Sequence, residues 1–142
     1  MKNYRIEQEV VLTSEYVHII QSIILTTKRY SLIKTLIFAY IIHQQKYYLT
    51  NIYDGKTKYS SFLKCISEIS GKYKDFCANI SFIMQAVDIL AGSKNIAISG
   101  SKITYLRITT ANEVNDKFIL LAIEESKKIS DRQVLKEILR NV

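Results

Sequence analysis

Between Phe76 and Tyr105 the apolar residues change their spacing once, and that change constrains the fold more than any other feature of the sequence. Phe76, Ile80, Ile83, Val87 and Leu90 recur at intervals of four, three, four and three, the period of a helix with one buried face. Past Gly92 the period falls to two, in Asn95-Ile96-Ala97-Ile98-Ser99-Gly100-Ser101-Lys102-Ile103-Thr104-Tyr105. A two-residue loop at Gly100-Ser101, with glycine first as a type II′ turn requires, pairs Ile98 with Ile103 and Ile96 with Tyr105. All four side chains then share one face. A loop at Ser99-Gly100 would set Ile98 against Ser101, so hydrophobic pairing selects the first register. The expectation is a helix that stops at Gly92 and runs into a short β-hairpin.

Nothing else in the chain breaks a helix so clearly. There is no proline among the 142 residues, and the four glycines stand singly at Gly55, Gly71, Gly92 and Gly100. Residues Tyr4 to Leu12 read as an extended or irregular arm. Thr13 or Ser14 then caps a helix with Glu15 in its first turn and Tyr16, Ile19, Ile20, Ile23 and Ile24 along one stripe. A second helix begins near Ser31 and carries Leu32, Leu36, Ile37, Tyr40 and Ile41, with Lys34 off the stripe and free to reach solvent. From Gln44 to Tyr59 the pattern weakens, and Asp54-Gly55 marks a turn in a short strand or loop. Ser60 or Ser61 opens a helix through Phe62, Leu63, Ile66 and Ile69 that ends before Gly71. Residues 112–142 read as a helical pair, the first capped by Thr110 or Asn112 and running through Val114, Phe118, Leu121 and Ile129. The second opens on a capping box of Ser130 and Gln133, and its outer face is alternately charged. No repeat or linker divides the chain, so residues 1–142 form a single domain, mainly α with a short β-hairpin and winged-helix-like.

The chemistry of enzymes is missing from these motifs. Four isolated glycines make neither a P-loop nor a GxGxxG turn, because phosphate cradles need clustered backbone NH groups. His18 and His43 each sit in an apolar helical stretch, the setting of a hydrogen-bonded structural histidine, and Glu124-Glu125 lies among lysines on a surface. Cys65 and Cys77 are twelve apart on helical segments with no CxxC, which reads as two buried free thiols in a reducing cytoplasm and gives no zinc site or disulfide framework. The expectation is a non-catalytic protein without metal or cofactor. The N-terminus lacks a signal-peptide core, and the most apolar stretch, Leu32 to Ile42, is interrupted by Lys34 and too short to span a bilayer, so a cytoplasmic protein without membrane contact is expected.

What the sequence offers instead is charge in one place. Of a net +7, the segment from Lys28 to Arg107 holds twelve basic residues against four acidic ones, a surplus of +8, while the first 27 residues sum to −1 and the last 35 to zero. Aromatics interleave with these cations in Lys46-Tyr47-Tyr48, Tyr53, Lys56, Lys58-Tyr59 and Lys72-Tyr73-Lys74. Cations gain affinity for a phosphate backbone through counterion release, without reading sequence. Helices followed by a hairpin tipped with Lys102 suggest a wing laid on such a backbone, with Lys56, Lys58, Lys72, Lys74, Lys94, Lys102 and Arg107 as the phosphate contacts. The helix before the hairpin argues against base readout: from Asp75 to Leu90 it offers Asn79, Ser81, Gln85 and Asp88 but no Arg or Lys.

Three segments carry a resemblance: SLIKTLIFAYII (31–42), SFLKCI (61–66) and NISFIMQAVDILAGSKNIAISGSKITYL (79–106), spread over positions 31–106, about half the chain. Their order resembles the small accessory subunits of bacterial three-component ABC-ATPase defence systems, including the small subunit of Lamassu. The resemblance implies a subunit that docks on an SMC-like or Rad50-like ATPase, links it to an effector nuclease, and contacts double-stranded DNA non-specifically in anti-phage or anti-plasmid defence. A free-standing winged-helix transcription regulator is the main alternative, and a pure protein adaptor with its basic surface facing an acidic partner is a third.

Overall fold

The computed structural model describes residues 2–47, 61–140 and 142. Its elements run α1 (Lys2–Thr27), β1 (Arg29–Ser31), α2 (Leu32–Tyr47), α3 (Ser61–Gly71), α4 (Tyr73–Gly92), β2 (Ile96–Ser99), β3 (Lys102–Tyr105), α5 (Lys117–Ser126) and α6 (Asp131–Arg140). The chain is mainly helical, with one three-stranded antiparallel sheet in the order β1-β3-β2.

The first helix starts a full arm earlier than its apolar stripe suggests. Residues 4–12 are helical rather than extended, so Thr13 and Ser14 fall mid-helix and cap nothing; Thr13 Oγ1 instead donates to Gln85 Oε1 across to α4 at 3.3 Å. With no proline to stop it, a helix nucleated by the buried stripe propagates backwards through Glu7, Gln8 and Glu9, supported by an Arg5–Glu9 pair one turn apart at 3.4 Å. The stripe itself is as expected: Tyr16, Ile19, Ile20, Ile23 and Ile24 are buried.

α1 ends on Lys28, whose φ of 65° and amide bond to the Ile24 carbonyl (2.7 Å) form a left-handed C-terminal cap. That turn throws the chain into β1, a strand of three residues too short to leave a periodic signal. Ser31 then caps α2, its Oγ accepting from the Lys34 amide at 3.2 Å, which bears out the expected start. Lys34 does not reach solvent. It is 5% exposed, and its Nζ donates to the Ile129 carbonyl at 2.5 Å, 3.9 Å from Asp131. The period of α2 missed this because the segment before α6 folds over the helix's outer side. Burial lowers the Lys34 pKa against the pull of Asp131.

α4 buries Phe76, Ile83, Val87 and Leu90, with Ile80 half-buried. It stops at Gly92 as expected, but Gly92 does not take the left-handed turn itself. Gly92 is its last helical residue, and the left-handed position is Lys94 (φ 61°), where the Lys94 amide donates to the Ala91 carbonyl and the Asn95 amide to the Leu90 carbonyl. The hairpin has the expected register, Ile98 against Ile103 and Ile96 against Tyr105, with Gly100 at φ 60°. Ile96 and Ile103 are buried and Tyr105 half-buried, while Ile98, nearest the turn, is exposed.

Residues 106–116 are not helical, and α5 is capped by Asp116, which accepts from the Ile119 amide at 3.1 Å, rather than by Thr110 or Asn112. Val114 belongs to this crossing segment; its amide donates to Thr26 Oγ1 on α1 at 2.8 Å. Ile129 also lies outside α5. Ser130 caps α6 as expected, accepting from the Gln133 amide at 3.1 Å, but the Gln133 side chain donates to Glu137 and leaves the reciprocal half of the box unmade. One apolar core runs through all the helices, tied by Tyr30 to Ser126, Tyr16 to Asn79 (2.8 Å) and Tyr40 to Asp75 (2.5 Å). Arg5–Thr27 and Tyr73–Gly92 are long and apolar enough to cross a bilayer by length and composition, yet both supply core side chains here.

Candidate nucleic-acid interface

Two helices enter the sheet, and each ends on a lysine in the left-handed region. Lys28 and Lys94 are the positive-φ residues other than glycine among the described residues. Such a conformation costs an ordinary side chain about 1 kcal/mol or more that glycine avoids. The Lys28 carbonyl accepts from the Tyr105 amide at 2.7 Å, and its Nζ lies 4.3 Å from the centre of the Tyr105 ring. Asn95, next to Lys94, accepts from both the Leu106 and Arg107 amides at 3.0 Å and donates through Nδ2 to the Arg107 carbonyl at 2.7 Å. These bonds gather Lys28, Lys94 and Arg107 at the open end of the hairpin.

The other two cations follow from strand register. Arg29 pairs with Thr104 and Lys102 with Ser31 and Ser99, so Arg29 and Lys102 share the sheet face opposite Ile96 and Ile103. Ser31, Ala97, Ser99 and Thr104 complete that face with small side chains, Ser31 buried and donating through its Oγ to Asp131 Oδ1 at 2.7 Å. The hairpin turn is fixed to the helical body by a bond from the Leu32 amide to the Ser101 carbonyl at 2.8 Å. From Tyr105 to Lys102 the strand spans about 10 Å; Arg29 and Lys102 lie on its outer face, whereas Lys28, over the Tyr105 ring, lies on the face of Ile96 and Ile103. Lys28, Arg29, Lys94, Lys102 and Arg107 are all exposed, and among the described residues none pairs with a carboxylate.

Of the residues singled out from sequence, Lys94, Lys102 and Arg107 come together here. Lys74 is exposed but lies at the start of α4, about 30 Å along the helix from Lys94. Lys72 is half-buried and already compensated, 3.0 Å from Glu68 and within 3.5 Å of Gln44 Oε1. Lys56 and Lys58, with Tyr53, Tyr59 and the Asp54-Gly55 turn, lie outside the described residues. Lys28 and Arg29 were missed. The signal that finds them is an absence: no acid occurs from Tyr16 to Tyr53 or from Ile89 to Asn112, the two stretches from which the sheet is built.

No protein-family model, no curated protein and no solved structure matches the chain.

The histidines and cysteines lie away from the sheet cations on α1, α2, α3 and α4. His43 is buried, its Nε2 2.8 Å from Glu15 and its ring 4.8 Å from that of Tyr16. His18 is exposed rather than buried in an apolar stretch, and lines a cavity of about 190 Å³ with Ser22, Glu113 and Asp116. Cys65 is buried, and burial pushes its thiol up to about 12, which keeps it protonated at neutral pH. Cys77 is exposed, against the expectation of two buried thiols, because the α4 stripe of Phe76, Ile80 and Ile83 turns it outward.

Proposed function

We propose that the chain is a non-catalytic accessory subunit that contacts the phosphate backbone of duplex DNA without reading its sequence. The observation that carries this reading is the sheet end: five exposed cations, none in an ion pair among the described residues, and two of the five held in a backbone conformation that favours glycine. A winged-helix arrangement is supported by the order of elements, in which a strand after the first helix joins the later hairpin as β1-β3-β2, with a helix immediately before the hairpin. The SMC-like ATPase and effector nuclease as partners and the defence role come from the resemblance of the three segments, and the cytoplasmic location from the N-terminal sequence and the short apolar stretch at Leu32 to Ile42.

The face of α4 supports backbone contact over base readout. Ala78, Ser81, Gln85 and Asp88 are exposed along it, with no cation between Lys74 and the end of the helix. Footprinting separates the two. Weak retention of any duplex, with no protected site, is the expected result. Protection of one palindromic site would instead establish a free-standing regulator. Co-expression with a neighbouring ATPase tests the accessory role, and a stable complex is the expected result.

A further inference from the structure

The alternating charge of α6 in sequence becomes segregated in space. Val134 and Ile138 are buried, with Ser70 Oγ on α3 donating to the Ile138 carbonyl at 2.9 Å. At about 3.6 residues per turn, Arg132, Lys136 and Arg140 follow one another along the opposite side, and Leu135 and Leu139 form the stripe beside them. Leu135 is 42% exposed and Leu139 57%. The two acids of the helix are turned elsewhere. Asp131 accepts from Ser31 Oγ at 2.7 Å near Lys34, and Glu137 accepts from Gln133 Nε2 at 2.8 Å and lies 3.5 Å from Arg140. Arg132 and Lys136 form no ion pair with a carboxylate among the described residues.

We propose that this face docks an acidic amphipathic helix of a partner protein, its apolar residues on Leu135 and Leu139 and its carboxylates on Arg132, Lys136 and Arg140. Charge selects that occupant. A second copy meeting the face by a two-fold axis would set the basic stripe against itself. Duplex DNA would leave the two leucines against phosphate, and a bilayer surface calls for a wider apolar face with aromatic or larger side chains than two leucines supply. A helix of about three turns matches the length of α6 and answers both stripes at once. The docking half of the accessory reading thereby acquires a surface, and rests on that reading for its biological role. The DNA-contacting half is untouched, since the sheet cations lie on other elements.

A phage-displayed library of helical peptides, randomised at outward positions, is selected against the immobilised full chain. Leu135→Ser with Leu139→Ser, and Arg132→Glu with Lys136→Glu, serve as counter-targets after circular dichroism shows each folded. The expected winners carry Asp or Glu one turn apart beside Leu or Ile, and lose about tenfold in affinity or more on each double variant. No enrichment, basic winners, or winners that bind the variants equally well overturn the assignment. So does binding to phosphatidylserine vesicles, or self-association, that the same substitutions abolish. Acidic winners together with no complex between the chain and a neighbouring ATPase would uphold the docking face and remove the accessory reading.

Discussion

The Tyr105 amide donates to the Lys28 carbonyl at 2.7 Å while the Lys28 ammonium sits 4.3 Å from the centre of the Tyr105 ring, so backbone and side chain of one residue hold the same neighbour. The contact joins the end of α1 to β3 and fixes a cation at the rim of the sheet. At the end of α4 it is Asn95, next to Lys94, that bonds to the segment after β3, and the left-handed backbone of Lys28 and Lys94 is the part of the site most open to test.

Replacing Lys94 by glycine relieves the left-handed strain and removes the charge. Thermal melting is expected to rise by about 2–4 °C, from about 0.5–1 kcal/mol, while affinity for duplex DNA falls. Higher stability with unchanged DNA affinity would show that Lys94 contacts nothing there.

The two glycines at either end of the helix-to-hairpin passage should respond in opposite directions. A Cβ at Gly92 or Gly100 meets nothing within 4 Å, so only backbone conformation matters. Gly92→Ala, in a helix, is expected to stabilise by about 0.5–1 kcal/mol, and Gly100→Ala, at φ 60°, to destabilise by about 1 kcal/mol. Chemical denaturation of both variants reads the difference.

That pair also marks what the sequence made legible. The period change at Gly92 located α4 and the hairpin to the register, because every second residue in a strand and every third or fourth in a helix must face the core. Lys34 shows the limit: its environment is made by residues 129 and 131, nearly a hundred positions away, and no local pattern encodes that contact. Arg29 shows another, since a three-residue strand exists only because β3 is there to pair with it. The early start of α1 was hidden for a third reason: the stripe that reports a helix is its buried face, and Ile6, Val10 and Val11 are exposed.

Tyr40→Phe removes a hydroxyl that donates to Asp75 Oδ2 at 2.5 Å and joins α2 to the first turn of α4. A hydrogen bond to a carboxylate is worth about 1.5–3 kcal/mol, so the urea midpoint should fall accordingly. A change below about 0.5 kcal/mol would mean that water replaces the hydroxyl at no cost.

Burial raises the Cys65 thiol from 9.0 to about 12, so between those values the unfolded chain has lost a proton that the folded one keeps. Stability from this group is full below pH 9 and drains as pH rises towards 12. Lys34, lowered by burial, acts in the opposite sense below its usual value of 10.5 and is common to both proteins compared. Cys65→Ala should therefore show a flatter loss of stability than the original chain between about pH 8 and 10, by about 1 kcal/mol in urea titrations. Parallel pH profiles would place the thiol in contact with water.

The central claim, that the sheet end holds DNA by charge alone, is tested most directly by the salt dependence of binding to a random duplex of about 20 base pairs. Five phosphate contacts predict that log K falls against log salt with a slope of about −4.5, shallower by about one unit each for Lys102→Gln and Arg29→Gln, and the same for unrelated sequences. A slope near zero, or one that these substitutions leave unchanged, would contradict it.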